Sequence, residues 1–206
     1  DFKNILFKKD LKIKFIKYSN LDDFNEMSSG GKIISLNSEN LLLTVGDFWQ
    51  GNISQDLKKE YGKVLIIDKQ DFTYDIFTAG HRNQQGITKI NDKIFASEHG
   101  PRGGDEINVI IEGKNYGWPI VSYGPSYSKD YDKYYLKDHK FFQEPLYVFS
   151  PSIGISDIEF YNSDLLKKWK GDLLVASMKN NTGIINLLNP GLSIYRIKLN
   201  KNHTKV

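Results

Sequence analysis

The 206-residue chain has no cysteine, which rules out a disulfide framework and leaves compartment open. No apolar run approaches the roughly 20 residues of a membrane-spanning helix. Neither sign of charge dominates: 28 Lys and Arg stand against 25 Asp and Glu, a net +3. Such a balance gives no reason to invoke nucleic acid. Arginine is almost missing. It occurs only at Arg82, Arg102 and Arg196, in a chain whose ordinary cation is lysine. Under that bias an arginine marks a place that needs a planar fork of donors. The chain opens on Asp1 rather than Met, as expected of a fragment or a processed product, so the lack of a signal peptide does not exclude export.

Glycine, by contrast, is concentrated. The stretch EHGPRGGDEINVIIEGKNYGWP, Glu98 to Pro119, sets Gly100, Pro101, Gly103 and Gly104 around Arg102 and follows them with Asp105 and Glu106. Glycines allow sharp turns and close backbone approach to a ligand. Carbonyl oxygens and carboxylates together are the ligand set of a hard cation such as calcium. The same composition also describes a long glycine-rich hairpin loop. A second segment, GHRNQQG from Gly80 to Gly86, brings Arg82 beside Asn83 and Gln85.

A repeat surrounds these segments. Three units open on a glycine and a short apolar strand: GKIISL at Gly31, GITKI at Gly86 and GISDIEF at Gly154. A second strand follows in each (LLLTVG, KIFASE, DLLVAS), then a further one (KVLIID, EINVII, SIYRIKL). Leu11 to Tyr18 alternates in the same way and reads as the outer strand of an earlier unit. The spacing exceeds the roughly 40–45 residues of a compact four-stranded blade, and residues 122–143, rich in Tyr and Lys, form the clearest insertion. The predicted fold is all-β: one domain, 1–206, forming an incomplete β-propeller of four-stranded antiparallel blades.

Strand parity places the chemistry. In an antiparallel blade, the loop before the first strand and the loop after the second lie on one rim. Those loops carry Met27 to Ser29, Asp47, Arg82 to Gln85, Glu98 to Asp105, Tyr147 to Ser152, and Met178 to Asn180. A concave polar site at the mouth of the propeller is therefore expected. His81 and His99, in separate loops and without cysteines, make only a weak case for zinc.

The two motif segments, in this order and separated by one strand, resemble the soluble glucose and sorbosone dehydrogenases, which work with pyrroloquinoline quinone (PQQ) and calcium on a six-bladed propeller. The resemblance runs from about Ser28 to Leu199 and implies about four of the six blades here, with the ring truncated at both ends. It implies PQQ contacts by Arg82, Asn83, Gln85, Asp105, Tyr127, Tyr147, Ser152 and Lys179. Asp105 could instead brace Arg82 or Arg102. Active-site calcium would bind the carbonyls of Gly100 and Pro101; a second calcium would bind Glu106 and the Tyr116 carbonyl. Asp47 resembles a Gly-Asp turn beside the family's catalytic base, or is a plain Asx-turn.

At the base itself the sequence departs from the family. The catalytic histidine falls on Ser28, and a serine hydroxyl does not accept a proton unaided. The resemblance thus implies a PQQ- and calcium-dependent oxidoreductase that converts an aldose's anomeric hydroxyl to a lactone, with Arg82 stabilising the reduced quinone. Its partners would be a sugar and an unidentified electron acceptor, in the periplasm or outside the cell. The rival reading is a catalytically silent propeller that binds a sugar or a protein partner.

Overall fold

The computed structural model describes residues 26–125, 127, 139–178, 193–200, 202 and 206. Strands β1 (Gly30–Ser35), β2 (Asn40–Val45), β3 (Lys63–Asp68) and β4 (Tyr74–Ala79) form a four-stranded sheet in sequence order. β5 (Gln84–Ile90), β6 (Lys93–Glu98), β7 (Asp105–Ile110) and β8 (Tyr147–Phe149) form a second. β9 (Ile155–Phe160), β10 (Leu173–Ser177) and β11 (Ser193–Ile197) form a third sheet of three strands. Among the described residues all pairings between these strands are antiparallel, and the helical turns are three short 3₁₀ segments. The expected strand at Leu11 to Tyr18 lies outside the described residues.

Every other repeat strand read from the sequence falls within a residue or two of an observed one. β4 and β8 were not foreseen. β8 has only three residues, too few for alternation to register, and it exists through pairing with β7.

The sheets stack like blades. β1 packs beside β5 and β5 beside β9, so the first strands of successive sheets are neighbours. The middle sheet is apolar on both faces because side chains alternate across a strand. On β6, Phe95 joins Ile107, Phe149, Ile158, Leu173 and Val175 between the second and third sheets. Its neighbours Ile94 and Ala96 join Leu42, Val64, Phe77, Ile87 and Ile110 between the first and second. Each fully buried side chain of this size contributes roughly 1.5–3 kcal/mol, so the two inter-sheet layers fix how the blades sit and hence how their loops meet.

The same irregularity recurs at one end of all three sheets. Register shifts fall between Gly30 and Ile33, between Gln84 and Gly86, and opposite Ala176 and Ser177. A bulge at a strand end re-aims the side chains beside it. One hydrogen bond is repeated there too. The residue after the second strand donates to the carbonyl before the first: Gly46 to Ser29 at 2.9 Å, His99 to Asn83 at 3.1 Å, Met178 to Gly154 at 2.8 Å. The loops before first strands and after second strands therefore share a rim.

Candidate active site at the blade mouth

The rim is sewn together between blades. The Asp47 amide donates to the Arg82 carbonyl at 2.7 Å, and the Phe48 amide to the Ser28 carbonyl at 2.9 Å. Gly46 makes this approach possible: a Cβ there would lie 2.0 Å from the Ser28 carbonyl oxygen. Ser28 and Asp47 are buried, 1% and 2% exposed. The Ser28 hydroxyl donates to Asp47 Oδ1 at 2.6 Å. Asp47 Oδ1 also accepts the Trp49 amide at 2.9 Å, and Oδ2 accepts the Trp118 indole N–H at 2.8 Å. Asp47 thus closes an Asx-turn and holds the Ser28 hydroxyl at the same time. Burial raises the Asp47 carboxyl above its ordinary value despite these donors and the nearby Arg82 charge.

Arg82 is buried. Its backbone N–H donates to Glu98 Oε1, and its Nη1 reaches the His99 carbonyl at 3.4 Å. The guanidinium lies 5.5 Å from the Trp118 ring centroid and 6.0 Å from that of Tyr127, a cation–π setting. Among the described residues it forms no ion pair. Asn83 is buried beside it, and its Oδ1 accepts the Gly30 amide at 3.1 Å and Gln85 Nε2 at 2.8 Å. The bulge at Gln85 turns that side chain to the half-buried edge of the rim.

Behind this layer runs a polar network that the sequence did not reveal. His81 is fully buried, with Nδ1 2.9 Å from Glu98 Oε2 and Nε2 2.9 Å from Thr78 Oγ1. Its ring stacks on Tyr116 at 4.4 Å. Asn108 Nδ2 bridges Glu98 Oε2 at 3.3 Å and Glu106 Oε2 at 3.1 Å. Burial and the adjacent Glu98 charge push the Glu106 carboxyl well above the usual range. Glu106 and Tyr116 therefore meet the same His81–Glu98 network.

Asp105 is fully buried and holds the neighbouring blade rather than either arginine. Its Oδ2 accepts the Ser152 hydroxyl at 2.7 Å and the Ile153 and Ile155 amides at 3.1 Å each. Burial alone would raise this carboxyl; hydrogen bonds from His99, Ser152 and Ile155 outweigh it and hold it low. Oδ1 accepts the Gly100 amide at 3.2 Å, which anchors the glycine turn. A Cβ on Gly100 would fall 2.0 Å from the Gly103 carbonyl oxygen, so the turn closes only with glycine. The Gly100 and Pro101 carbonyls take part in no hydrogen bond among the described residues. No group of three or more His, Cys, Asp or Glu side chains among those residues is arranged to hold a metal, so a cation here would depend on carbonyl oxygens.

The structure brings Ser28, Arg82, Asn83, Gln85, Asp105, Ser152 and Tyr127 to one rim. Tyr147 does not join them. It sits in β8 opposite Ile107, edge-on to Phe149 at 4.8 Å. It faces a groove of about 1050 Å³ lined also by Phe77, Ile110 and Leu146, at the far ends of the strands. Lys179 lies outside the described residues, as does most of the 122–143 insertion. The described start of that insertion packs on the glycine turn, where the Arg102 amide donates to the Pro125 carbonyl at 3.2 Å. Trp49 and Trp118 were missed as site residues. The signal for Trp49 was its place two residues after Asp47.

The blades thus form a propeller-type fold whose rim gathers one buried guanidinium, flanking carboxamides and a glycine turn. The family model described as Glucose / Sorbosone dehydrogenase matches residues 12–190, and the chain belongs to that family. Aldose sugar dehydrogenase YliI of Escherichia coli is 30% identical over 180 residues, 78% of this chain and 47% of that protein. Quinoprotein glucose dehydrogenase B of Acinetobacter calcoaceticus is 54% identical over 48 residues, 23% of this chain and 10% of that protein. The crystal structure of the soluble aldose sugar dehydrogenase of E. coli in its apo-form matches with a TM-score of 0.65 at 26% identity, covering 82% of this chain and 54% of that one. The chain thus spans about half, or less, of the length of the relatives it matches. No helix among the described residues is long and apolar enough to cross a membrane.

Proposed function

We propose that this chain is the cofactor-holding part of a PQQ- and calcium-dependent sugar oxidoreductase. The observation that carries the reading is Arg82, a buried guanidinium without a carboxylate partner among the described residues. An arginine kept in that state suits a ligand carboxylate, which it can hold in two parallel bonds. PQQ is a planar tricarboxylate, and when bound it supplies an electrophilic quinone that accepts hydride from the anomeric carbon of an aldose. Arg82 holds and polarises the ligand, Asn83 and Gln85 fix its edge, and Tyr127 covers the guanidinium. Tyr147 faces the other end of the blade, which argues against a direct contact from it. Lys179 is retained on resemblance alone.

Calcium fits the glycine turn. Gly100 and Pro101 offer carbonyl oxygens, and Asp105 fixes the turn that aims them. Glu106, disfavoured as an anion beside Glu98, suits a second cation, together with the Tyr116 carbonyl. An exported location, a sugar substrate and a separate electron acceptor belong to the same proposal.

Ser28 favours a second reading, in which the propeller binds ligand without turnover. Its hydroxyl is buried and committed to Asp47, so no imidazole stands at the base position. His81 is enclosed by Glu98, Thr78 and Tyr116. His99, half-buried beside Asp105, is the imidazole best placed to accept a proton. Reconstitution of the full-length protein with PQQ and calcium separates the readings. Cofactor absorbance and aldose oxidation are expected together; binding without oxidation selects the silent propeller, and no binding refutes both cofactor roles.

A further inference from the structure

At the end of the third sheet opposite the rim, residues 161–172 connect β9 to β10 and carry the run Leu165-Leu166-Lys167-Lys168-Trp169-Lys170. Leu165 is 87% exposed and Leu166 44%. Apolar residues scattered singly over a surface need no explanation, but two together at the tip of an ordered loop do.

The loop is firmly built. The Tyr161 amide donates to the Asp172 carbonyl and the Gly171 amide to the Tyr161 carbonyl, each at 2.9 Å, which closes its base. The Trp169 amide donates to the Leu166 carbonyl at 2.8 Å, closing the 3₁₀ turn Lys167–Trp169. Arg196 of β11 staples the turn from beside it. Its Nε pairs with Asp172 Oδ2 at 2.5 Å, its Nη2 donates to the Lys168 carbonyl, and its guanidinium lies 5.6 Å from the Trp169 ring centroid. The leucine amides are satisfied within the loop, Leu165 by Ser163 Oγ at 3.2 Å and Leu166 by the Tyr161 hydroxyl at 2.9 Å. The leucines can therefore leave water without stranding those two donors.

The charges fall into two groups. Asp164 neutralises Lys170 at 2.8 Å, and Asp172 is taken by Arg196. Lys167 and Lys168 are exposed and form no ion pair among the described residues. Exposed leucines beside unpaired ammonium groups, over an aromatic base of Trp169 and Tyr161, suit a surface that is apolar within and anionic at its edge. A protein partner fits less well. A stable protein interface covers roughly 800 Å² per side and is depleted of lysine at its core, which two leucines followed by two lysines do not offer.

We propose that the 161–172 hairpin docks reversibly on an anionic lipid surface, with Leu165 and Leu166 at the acyl boundary and Lys167 and Lys168 on the headgroup phosphates. The blade mouth lies at the other end of the sheets and stays clear of the lipid. The proposal does not depend on the cofactor reading.

The test is sedimentation of full-length protein with vesicles of phosphatidylcholine alone or mixed with phosphatidylglycerol. Two lysines at about fivefold each should favour the anionic vesicles by about 25-fold, and high salt should reduce that preference. Lys167→Gln with Lys168→Gln should remove it. Leu165→Ser with Leu166→Ser should weaken binding to anionic vesicles by about tenfold or more. Leu165→Ser alone, at the more exposed side chain, keeps the test readable if the double variant folds poorly, as seen in its melting temperature. Binding that ignores phosphatidylglycerol, or that survives both sets of substitutions, would overturn the proposal. So would self-association in sedimentation velocity that Leu165→Ser abolishes while vesicles bind no protein, an outcome that would assign the hairpin to a second copy of the chain.

Discussion

Lys63 offers a sharp test of how the site loop is held. It is fully buried at the start of β3. Its Nζ donates to the carbonyls of Tyr61 at 2.7 Å, Ser54 at 2.9 Å and Ile53 at 3.1 Å. An ammonium in a cradle of three carbonyls does what a bound metal ion would do: it ties the loop that runs from Asp47 through the 3₁₀ turn Gly51–Gln55 back to the sheet. Desolvation lowers its pKa from 10.5 to about 8, against the raising influence of Asp56 and Glu60. Lys63→Met removes three charge-assisted bonds, each worth roughly 1.5–3 kcal/mol, and relieves a desolvation cost on the order of 3 kcal/mol. The net expectation at pH 7 is a loss of about 1.5–6 kcal/mol, read by urea denaturation of the full-length protein. The pH dependence has a definite sign. The folded pKa lies below the unfolded one, so the cost of burying the charge is fully present below about pH 8. It is relieved as pH rises toward 10.5, and the wild-type advantage over Lys63→Met should widen across that window. A variant as stable as wild type at pH 7 would show that the ammonium does not tie the loop, and an advantage flat from pH 7 to 10.5 would show that folding does not lower its pKa.

Four further outcomes are expected. Arg82→Gln in the full-length protein should weaken PQQ binding by about tenfold or more, seen by absorbance titration; unchanged affinity would remove the guanidinium from the cofactor. Ser28→His should raise aldose oxidation by an appreciable part of the roughly 10²–10⁴-fold worth of a general base with little change in PQQ affinity, whereas wild-type turnover that survives His99→Ala and His81→Ala would show that no base is missing. Glu106 has its folded pKa raised, so its cost grows as pH climbs above the ordinary 4.5; in chelator-stripped protein Glu106→Gln should melt higher than wild type at pH 7, and millimolar calcium should reverse the order. An equal calcium shift in both proteins would place the ion elsewhere. Phe95→Ala, in the layer between the second and third sheets, should cost about 3–5 kcal/mol; a loss under 1 kcal/mol in denaturation would mean that this layer does not hold the blades.

The repeat of apolar strands, the boundaries of β3 and β6, and the gathering of Arg82, Asn83 and the glycine turn on one rim were legible in the sequence. Alternation is local, and strand parity follows from it without knowledge of distant partners. The family resemblance added the chemistry of that rim, and it exposed Ser28 as the departure. Other features were decided only by the tertiary structure. Asp105 reads in sequence as a ligand or a partner for arginine, yet its carboxylate holds the amides of Ile153 and Ile155 in the next blade. Tyr147 reads as a rim loop and lies instead in a three-residue strand that exists only through pairing with β7. Lys63 looks like one more lysine among many until the Ile53–Tyr61 loop folds over it. Burial, pKa and hydrogen-bond partners depend on which distant segments arrive beside a residue, and the packing of one blade against the next sets that arrival.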